Sequence, residues 1–206
     1  MRNLTSLLLP FGLLASATIF AEELPVYDEN APSEIPMSGF YFSLGKANFD
    51  SQTAREEGIG DSATMLRLMW EGQKSQLVYG AGMGIYLYDD KAEFSQLVED
   101  SFGDVDNAES SATGITAIGE IGYAKPLNAQ VSMEAVGGVE LMLSSDRSIG
   151  NCSNCYSEDI DIGGGLYVMP RIRFSSAGTF NFSLSYQHFL SGDIESTVAA
   201  HFSWRQ

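Results

Sequence analysis

Apolar and polar residues alternate with a period of two over most of the chain beyond Gly39. Near the C-terminus Ile194, Ser196, Val198, Ala200, Phe202 and Trp204 fall on one face, with Glu195, Thr197, Ala199, His201, Ser203 and Arg205 on the other. Successive side chains of a strand point to opposite sides, so this run predicts a strand between two different media. The same alternation recurs in Phe180–Tyr186, Ile160–Phe174, Val131–Leu141, Ile115–Tyr123, Leu77–Leu87, Leu66–Trp70 and Phe40–Leu44, eight segments in all. Pro170 interrupts one of them, and because proline has no ladder donor the pattern predicts a bulge there.

The polar face carries Arg67, Glu120, Glu134, Glu140, Arg171 and His201. Burying that set in the dry core of a soluble sandwich is costly. An apolar face turned toward lipid and a polar face turned toward an enclosed lumen remove the cost. The connections agree. Gly72–Ser75, Ala124–Ala129 and Ser175–Gly178 are short, whereas Phe49–Ser62, Asp89–Ala112 and Ser144–Glu158 are long, and Ser191–Asp193 closes the last hairpin. Short turns at one end and longer loops at the other are the rule for outer-membrane barrels, with the loops outside. Trp70, Tyr123, Phe174, Phe180 and Trp204 cluster beside the short turns as an interfacial girdle. The predicted fold is all-β, an eight-stranded antiparallel up-and-down transmembrane β-barrel over residues 38–206.

The start of the chain reads differently. Arg2 precedes an apolar run from Leu7 to Phe20 that falls short of the roughly 20 residues a spanning helix needs, and small residues follow. Residues 1–21 are therefore expected to be a secretory signal, cut after Ala17 or Ala21. Residues 22–37, with Pro25, Pro32 and Pro36 among acidic side chains, are expected to form a mobile acidic N-terminal tail. The formal charge of −16 argues against nucleic acid as a partner.

The pattern over Gly39–Gln206 resembles the small eight-stranded outer-membrane barrels, a group that holds the transmembrane domain of outer membrane protein A, the opacity proteins and the attachment-invasion proteins. The chain departs from them at its end, where Phe202 and Trp204 are followed by Arg205 and Gln206 instead of a terminal aromatic residue. The resemblance implies the outer membrane of a Gram-negative bacterium. The expected partners are outer-membrane lipid and lipopolysaccharide, plus an extracellular ligand or protein that no motif identifies; the expected state is a monomer, and no cofactor is expected.

Chemistry enters at three places. In the lumen, pairing across the Ala124–Ala129 turn is expected to set Glu120 opposite Glu134, and across the first turn Arg67 opposite Gly80 and Met65 opposite Gly82. Arg67 and Arg171 then become counter-charges to the two carboxylates, with His201 nearby. An acid–base pair or ion path is one reading; a structural charge network filling a narrow barrel is the favoured one. In the loop 89–112, Phe94, Leu97, Val98 and Phe102 recur at helical spacing, which predicts a short amphipathic turn over the barrel mouth. Phe94, Leu97, Phe102, Asp104, Asp106 and Glu109 are its binding candidates, and since 104–109 lacks the glycine and spacing of an EF-hand, no metal is assigned. Cys152 and Cys155 read as a local disulfide in an exported protein, over free thiols or a metal pair.

The favoured function is a non-enzymatic barrel whose acidic loops serve a structural or surface-binding role; a narrow ion-conducting pore is one alternative and a lipid A-modifying hydrolase the other. Tyr186–Ser196 is loosely similar to the end of the lipid A deacylases, which carry His-x-Ser with a downstream Glu on the lipid-facing wall. His188 faces lipid in this reading, but Leu190 takes the serine position, and Ser191 and Glu195 are expected to point inward, which bars a triad outside.

Overall fold

A computed structural model describes residues 37–99, 105–149, 155–175 and 180–205. The expected signal segment and the tail up to residue 36 lie outside these.

The barrel wall consists of β1 (Met37–Phe49), β2 (Ile59–Lys74), β3 (Leu77–Asp90), β6 (Ser111–Pro126), β7 (Val131–Ser148), β9 (Leu166–Ser175), β10 (Phe180–Phe189) and β11 (Ile194–Arg205). Each pairs antiparallel with its neighbours in that order. The β1–β11 ladder closes the ring. Between wall strands lie α1 (Ser51–Glu56), the hairpin β4 (Ser95–Glu99) with β5 (Val105–Glu109), and β8 (Ser157–Asp159), which extends the sheet from the end of β7. Closure leaves no open edge in the wall, which a strand bundle in hydrocarbon requires.

The two faces differ as the alternation demands. Leu68, Met83, Ile121, Leu141, Leu166 and Val198 stand exposed on the outer wall, while Arg67, Glu140, Arg171 and His201 are buried inside. An outward apolar band around a polar interior is the arrangement a barrel takes in a bilayer. Phe40, Trp70, Phe180 and Trp204 form the girdle at the end that carries the short turns, with the Phe180 and Trp204 rings meeting edge to face at 5.3 Å.

Turn chemistry sets the registers. β2 and β3 are joined by Ser75 and Gln76 alone, with Ser75 at φ 54°, in the left-handed region. Asn128 closes the β6–β7 turn by accepting the Gln130 and Val131 amides on Oδ1. Both turns are tighter than expected, so the strands run further and the pairing shifts. Arg67 faces Gly84 and Met65 faces Tyr86; Glu134 faces Ala124 and Glu120 faces Gly138. The expected Glu120–Glu134 opposition and the Arg67–Gly80 and Met65–Gly82 pairs are therefore replaced.

Two irregularities also differ from expectation. Pro170 makes no bulge: β9 keeps one register along β10, but the ladder omits the pairs of Tyr186 and Gln187, where the missing donor falls. Residues 160–165 do not continue β9, and Ile160 and Ile162 are buried instead of facing lipid. The glycines at 163–165 let this stretch fold in: a Cβ on Gly165 would lie 1.8 Å from the Ser191 carbonyl oxygen. The stretch is pinned there by the Glu140 amide, which donates to the Gly165 carbonyl at 2.9 Å.

Candidate functional site

The wall strands project three polar layers into the lumen. Nearest the short turns, Arg171 and Arg173 of β9 meet Glu71 of β2 and Glu134 of β7. Arg171 donates to Glu71 at 2.6 Å and to Glu134 at 2.5 Å, and Arg173 reaches the other oxygens of the same carboxylates at 2.7 and 2.8 Å. Two arginines with two carboxylates make a neutral quartet. Its geometry follows from the register, because Glu134 pairs with Arg171 in the β7–β9 ladder and Glu71 stands across the barrel.

The middle layer holds His201 and Glu120. The His201 ring sits between the Ser43 and Ser185 hydroxyls at 2.7 Å each, one nitrogen donating and the other accepting in the neutral ring. Glu120 is half-buried, and its carboxylate accepts from the Tyr41 and Tyr167 hydroxyls at 3.0 and 2.7 Å. Neither Arg67 nor Arg171 pairs with Glu120, which corrects that part of the expected network.

In the third layer Arg67 donates to Glu140 at 2.6 Å, to the Tyr86 hydroxyl at 3.2 Å and to Gln187 at 2.7 Å. Glu140 also accepts from Tyr86 at 2.8 Å and from Thr116 at 2.9 Å, and Thr197 donates to Gln187 at 2.9 Å. Gly84 makes the room, since a Cβ there would come within 3.3 Å of Arg67 Cγ and 2.6 Å of the Thr116 hydroxyl.

Arg67, Glu140 and Arg171 are 3%, 0% and 2% exposed, so these layers plug the lumen. Eight strands enclose a space that side chains alone can fill, and here they do. Of the lumen residues expected from sequence, the structure joins Glu134 with Arg171; it leaves Arg67 in the third layer and Glu120 and His201 in the middle one, where Tyr41 touches both. It adds Glu71, Arg173 and the tyrosines, and gives the expected inward Glu140 its partner in Arg67. Their inward parity was visible, but their partners depend on register and on which strands face each other across the barrel.

The opposite end is closed by a hub. Arg147 donates to Asp90 at 2.7 Å, to Glu158 at 3.0 Å and to the carbonyls of Glu57 and Gly58 at 3.0 Å. One buried guanidinium thus ties together the ends of β3 and β7, the strand β8 and the chain after α1.

The loop expected to form a helical turn forms the β4–β5 hairpin instead. Cross-strand pairing, with Leu97 opposite Asn107 and Glu99 opposite Val105, satisfies backbone groups that a single turn would leave open. One face of the hairpin carries Leu97, 70% exposed, and Val105, 56% exposed, between Glu99 and Glu109. Phe94 is half-buried and packs on Tyr156 at 5.2 Å, so it anchors the hairpin. Asp106 and Glu109 are exposed, and Phe102 and Asp104 lie outside the described residues. Among the described residues no group of acidic, histidine or cysteine side chains is arranged to hold a metal ion. Cys155 is disulfide-bonded, and Cys152 lies outside the described residues.

The lipid-facing wall needs one correction. Ser191 and Glu195 do not point inward; both are exposed. The β1–β11 ladder passes from Asn48–Ser196 to Phe49–Ile194, so Glu195 is the extra residue of a bulge and turns outward. The expected inward geometry is therefore absent, while Leu190 still occupies the position where a His-x-Ser pattern needs serine.

These features define the class: a sealed, eight-stranded β-barrel of the Gram-negative outer membrane. No family model matches the chain. No curated protein matches it either. Among solved structures, Neisserial surface protein A is 9% identical, with 82% of this chain and 96% of that one covered at a TM-score of 0.49. The attachment invasion locus protein Ail of Yersinia pestis, in complex with the heparin analogue sucrose octasulfate, is 13% identical, with 83% and 99% covered at a TM-score of 0.41. An outer-membrane channel from Pseudomonas putida F1 is 7% identical, with 90% and 100% covered at a TM-score of 0.28.

Proposed function

We propose that this barrel is a non-enzymatic, monomeric surface-interaction protein that holds the β4–β5 hairpin out from the outer membrane for an extracellular protein partner. The observation that carries the reading is the hairpin's free face, with Leu97 and Val105 at its centre and Glu99 and Glu109 beside them. Exposed apolar anchors ringed by charge are a common binding device, and acidic surroundings favour a partner with a basic rim. The plugged lumen supports a scaffold over an ion path. Outer-membrane lipid and lipopolysaccharide are the surroundings in this reading, and the net negative charge argues against nucleic acid.

The test uses cells displaying the protein and two fluorescent peptides, one an amphipathic Lys/Leu helix and the other all lysine. Leu97→Ser with Val105→Ser should lower binding of the Lys/Leu peptide several-fold and leave the weak binding of the all-lysine peptide unchanged. Equal binding by the variant would refute the role of this face. A steady open-pore current from the wild-type protein in planar bilayers would refute the scaffold reading.

A further inference from the structure

On the outer wall, at the loop end of the β10–β11 hairpin, lies a cleft of about 510 Å³. That volume is within the roughly 300–1,000 Å³ typical of small-ligand sites. Tyr186, His188 and Leu190 line it, and Asp50, Ser191, Asp193 and Glu195 bring polar groups to it. The position is unusual. Leu184, Tyr186 and His188 of β10 and Leu190 just beyond it form one outward-facing row, all exposed, that runs from the lipid-facing band to the loop end. A titratable side chain on that face is costly in hydrocarbon and becomes favourable only at head-group level, where a polar partner meets it. Among the described residues the His188 ring has no hydrogen-bond partner, its backbone being paired in the ladders with Ser196 and Val168. Its ring therefore offers a free donor and a free acceptor to whatever enters.

The lining also selects by charge. Three carboxylates, Asp50, Asp193 and Glu195, border the cleft, and among the described residues no lysine or arginine does. Asp50 spends Oδ1 on the Gln52 and Thr53 amides at 3.0 Å each, as the cap of α1. Asp193 accepts from the Gly163 amide at 2.6 Å and the Thr53 hydroxyl at 3.2 Å, while among the described residues the Glu195 carboxylate on its bulge makes no such contact. A bare phosphate is repelled here, whereas an ammonium or a hydroxyl is accepted. The Tyr186 ring adds a face on which a cation or a sugar ring can rest. Leu190 and Tyr186 continue into the apolar wall, so an alkyl chain attached to the head group has a surface to follow.

We infer that this cleft binds the amine-bearing sugar head of an outer-leaflet glycolipid, with Glu195 as the counter-charge and His188 as hydrogen-bonding partner. The site does not involve the hairpin, so the two proposals stand or fall separately.

The experiment exploits the chain's two histidines. His188 lies in the cleft and His201 in the sealed lumen, so their ring signals in NMR serve as probe and internal control. The purified protein in polyoxyethylene micelles is titrated with dodecyl glucosaminide, dodecyl glucoside and dodecyl phosphate. The glucosaminide should shift His188 saturably and leave His201 unmoved. The glucoside should bind about tenfold more weakly, the difference expected for one charge-assisted hydrogen bond. The phosphate should give no saturable shift. Glu195→Gln should bring the glucosaminide down to the affinity of the glucoside, with the His201 signal and the heat-modifiable gel band showing an intact barrel. Equal affinities for the three amphiphiles, or indifference to Glu195→Gln, overturns the assignment. Release of fatty acid from an acylated glucosamine lipid, lost in His188→Ala, also overturns it, because the cleft would then be catalytic.

Discussion

Arg67→Met is the sharpest test of the lumen. Methionine keeps most of the side-chain volume, so the change removes charge and hydrogen bonds with little cavity. Three contacts disappear, to Glu140 at 2.6 Å, Gln187 at 2.7 Å and Tyr86 at 3.2 Å. Glu140, fully buried, keeps the Tyr86 and Thr116 donors but loses its counter-charge. Breaking a buried pair by removing one partner costs about 3–5 kcal/mol, because the remaining charge stays desolvated. The two surviving hydrogen bonds place the expectation at the lower end, near ~3 kcal/mol. Arg67 Nε has no acceptor in the wild type, which also limits what the arginine contributes. The partner change, Glu140→Gln, should cost a similar amount. The double variant should cost less than the sum by about 2 kcal/mol or more, since it leaves neither charge behind. Met133→Leu on the lipid face should cost less than ~1.5 kcal/mol. Urea unfolding in lipid vesicles, followed by the heat-modifiable gel band, reads all four. If Arg67→Met is tolerated as well as Met133→Leu, or the two lumen changes simply add, the lumen charges are solvated and the plug is not what holds this layer.

Two further outcomes follow from the loops. Cys152 and Cys155 should form one local disulfide: intact mass after alkylation without reductant should show no label, and Cys→Ser at both should leave the barrel's unfolding midpoint unchanged, whereas full labelling would refute the bond. At α1, the Thr53 and Gln52 amides hold the Asp50 carboxyl below the usual aspartate range, so the cap contributes fully above the unfolded value and is lost as pH falls through the lowered one. Hydrogen-exchange protection at Gln52 and Thr53, corrected for the intrinsic exchange rate at each pH, should therefore fall only in that acidic window, and Asp50→Asn should flatten the pH response; protection that changes near neutrality would contradict it.

Period-two alternation determined the wall strands and their faces, and the connection lengths the unequal ends of the barrel, because within a regular ladder a residue's face follows its own parity. Arg67, Glu134, Arg171 and His201 were legible as lumen residues for that reason. Their partners were not. Whether Glu134 meets Glu120 or Arg171 depends on register, and a turn shortened around Asn128 moves the ladder past the expected pairing. Glu71 and Arg173 meet only once the ring has closed. Glu195 escaped its parity through a one-residue bulge, and 160–165 escaped theirs through glycines that admit a neighbouring backbone. The hairpin β4–β5 defeated a helical spacing because pairing between two neighbouring segments satisfied more backbone groups than a single helical turn. Local pattern decides which medium a side chain faces; only tertiary structure decides what it meets there.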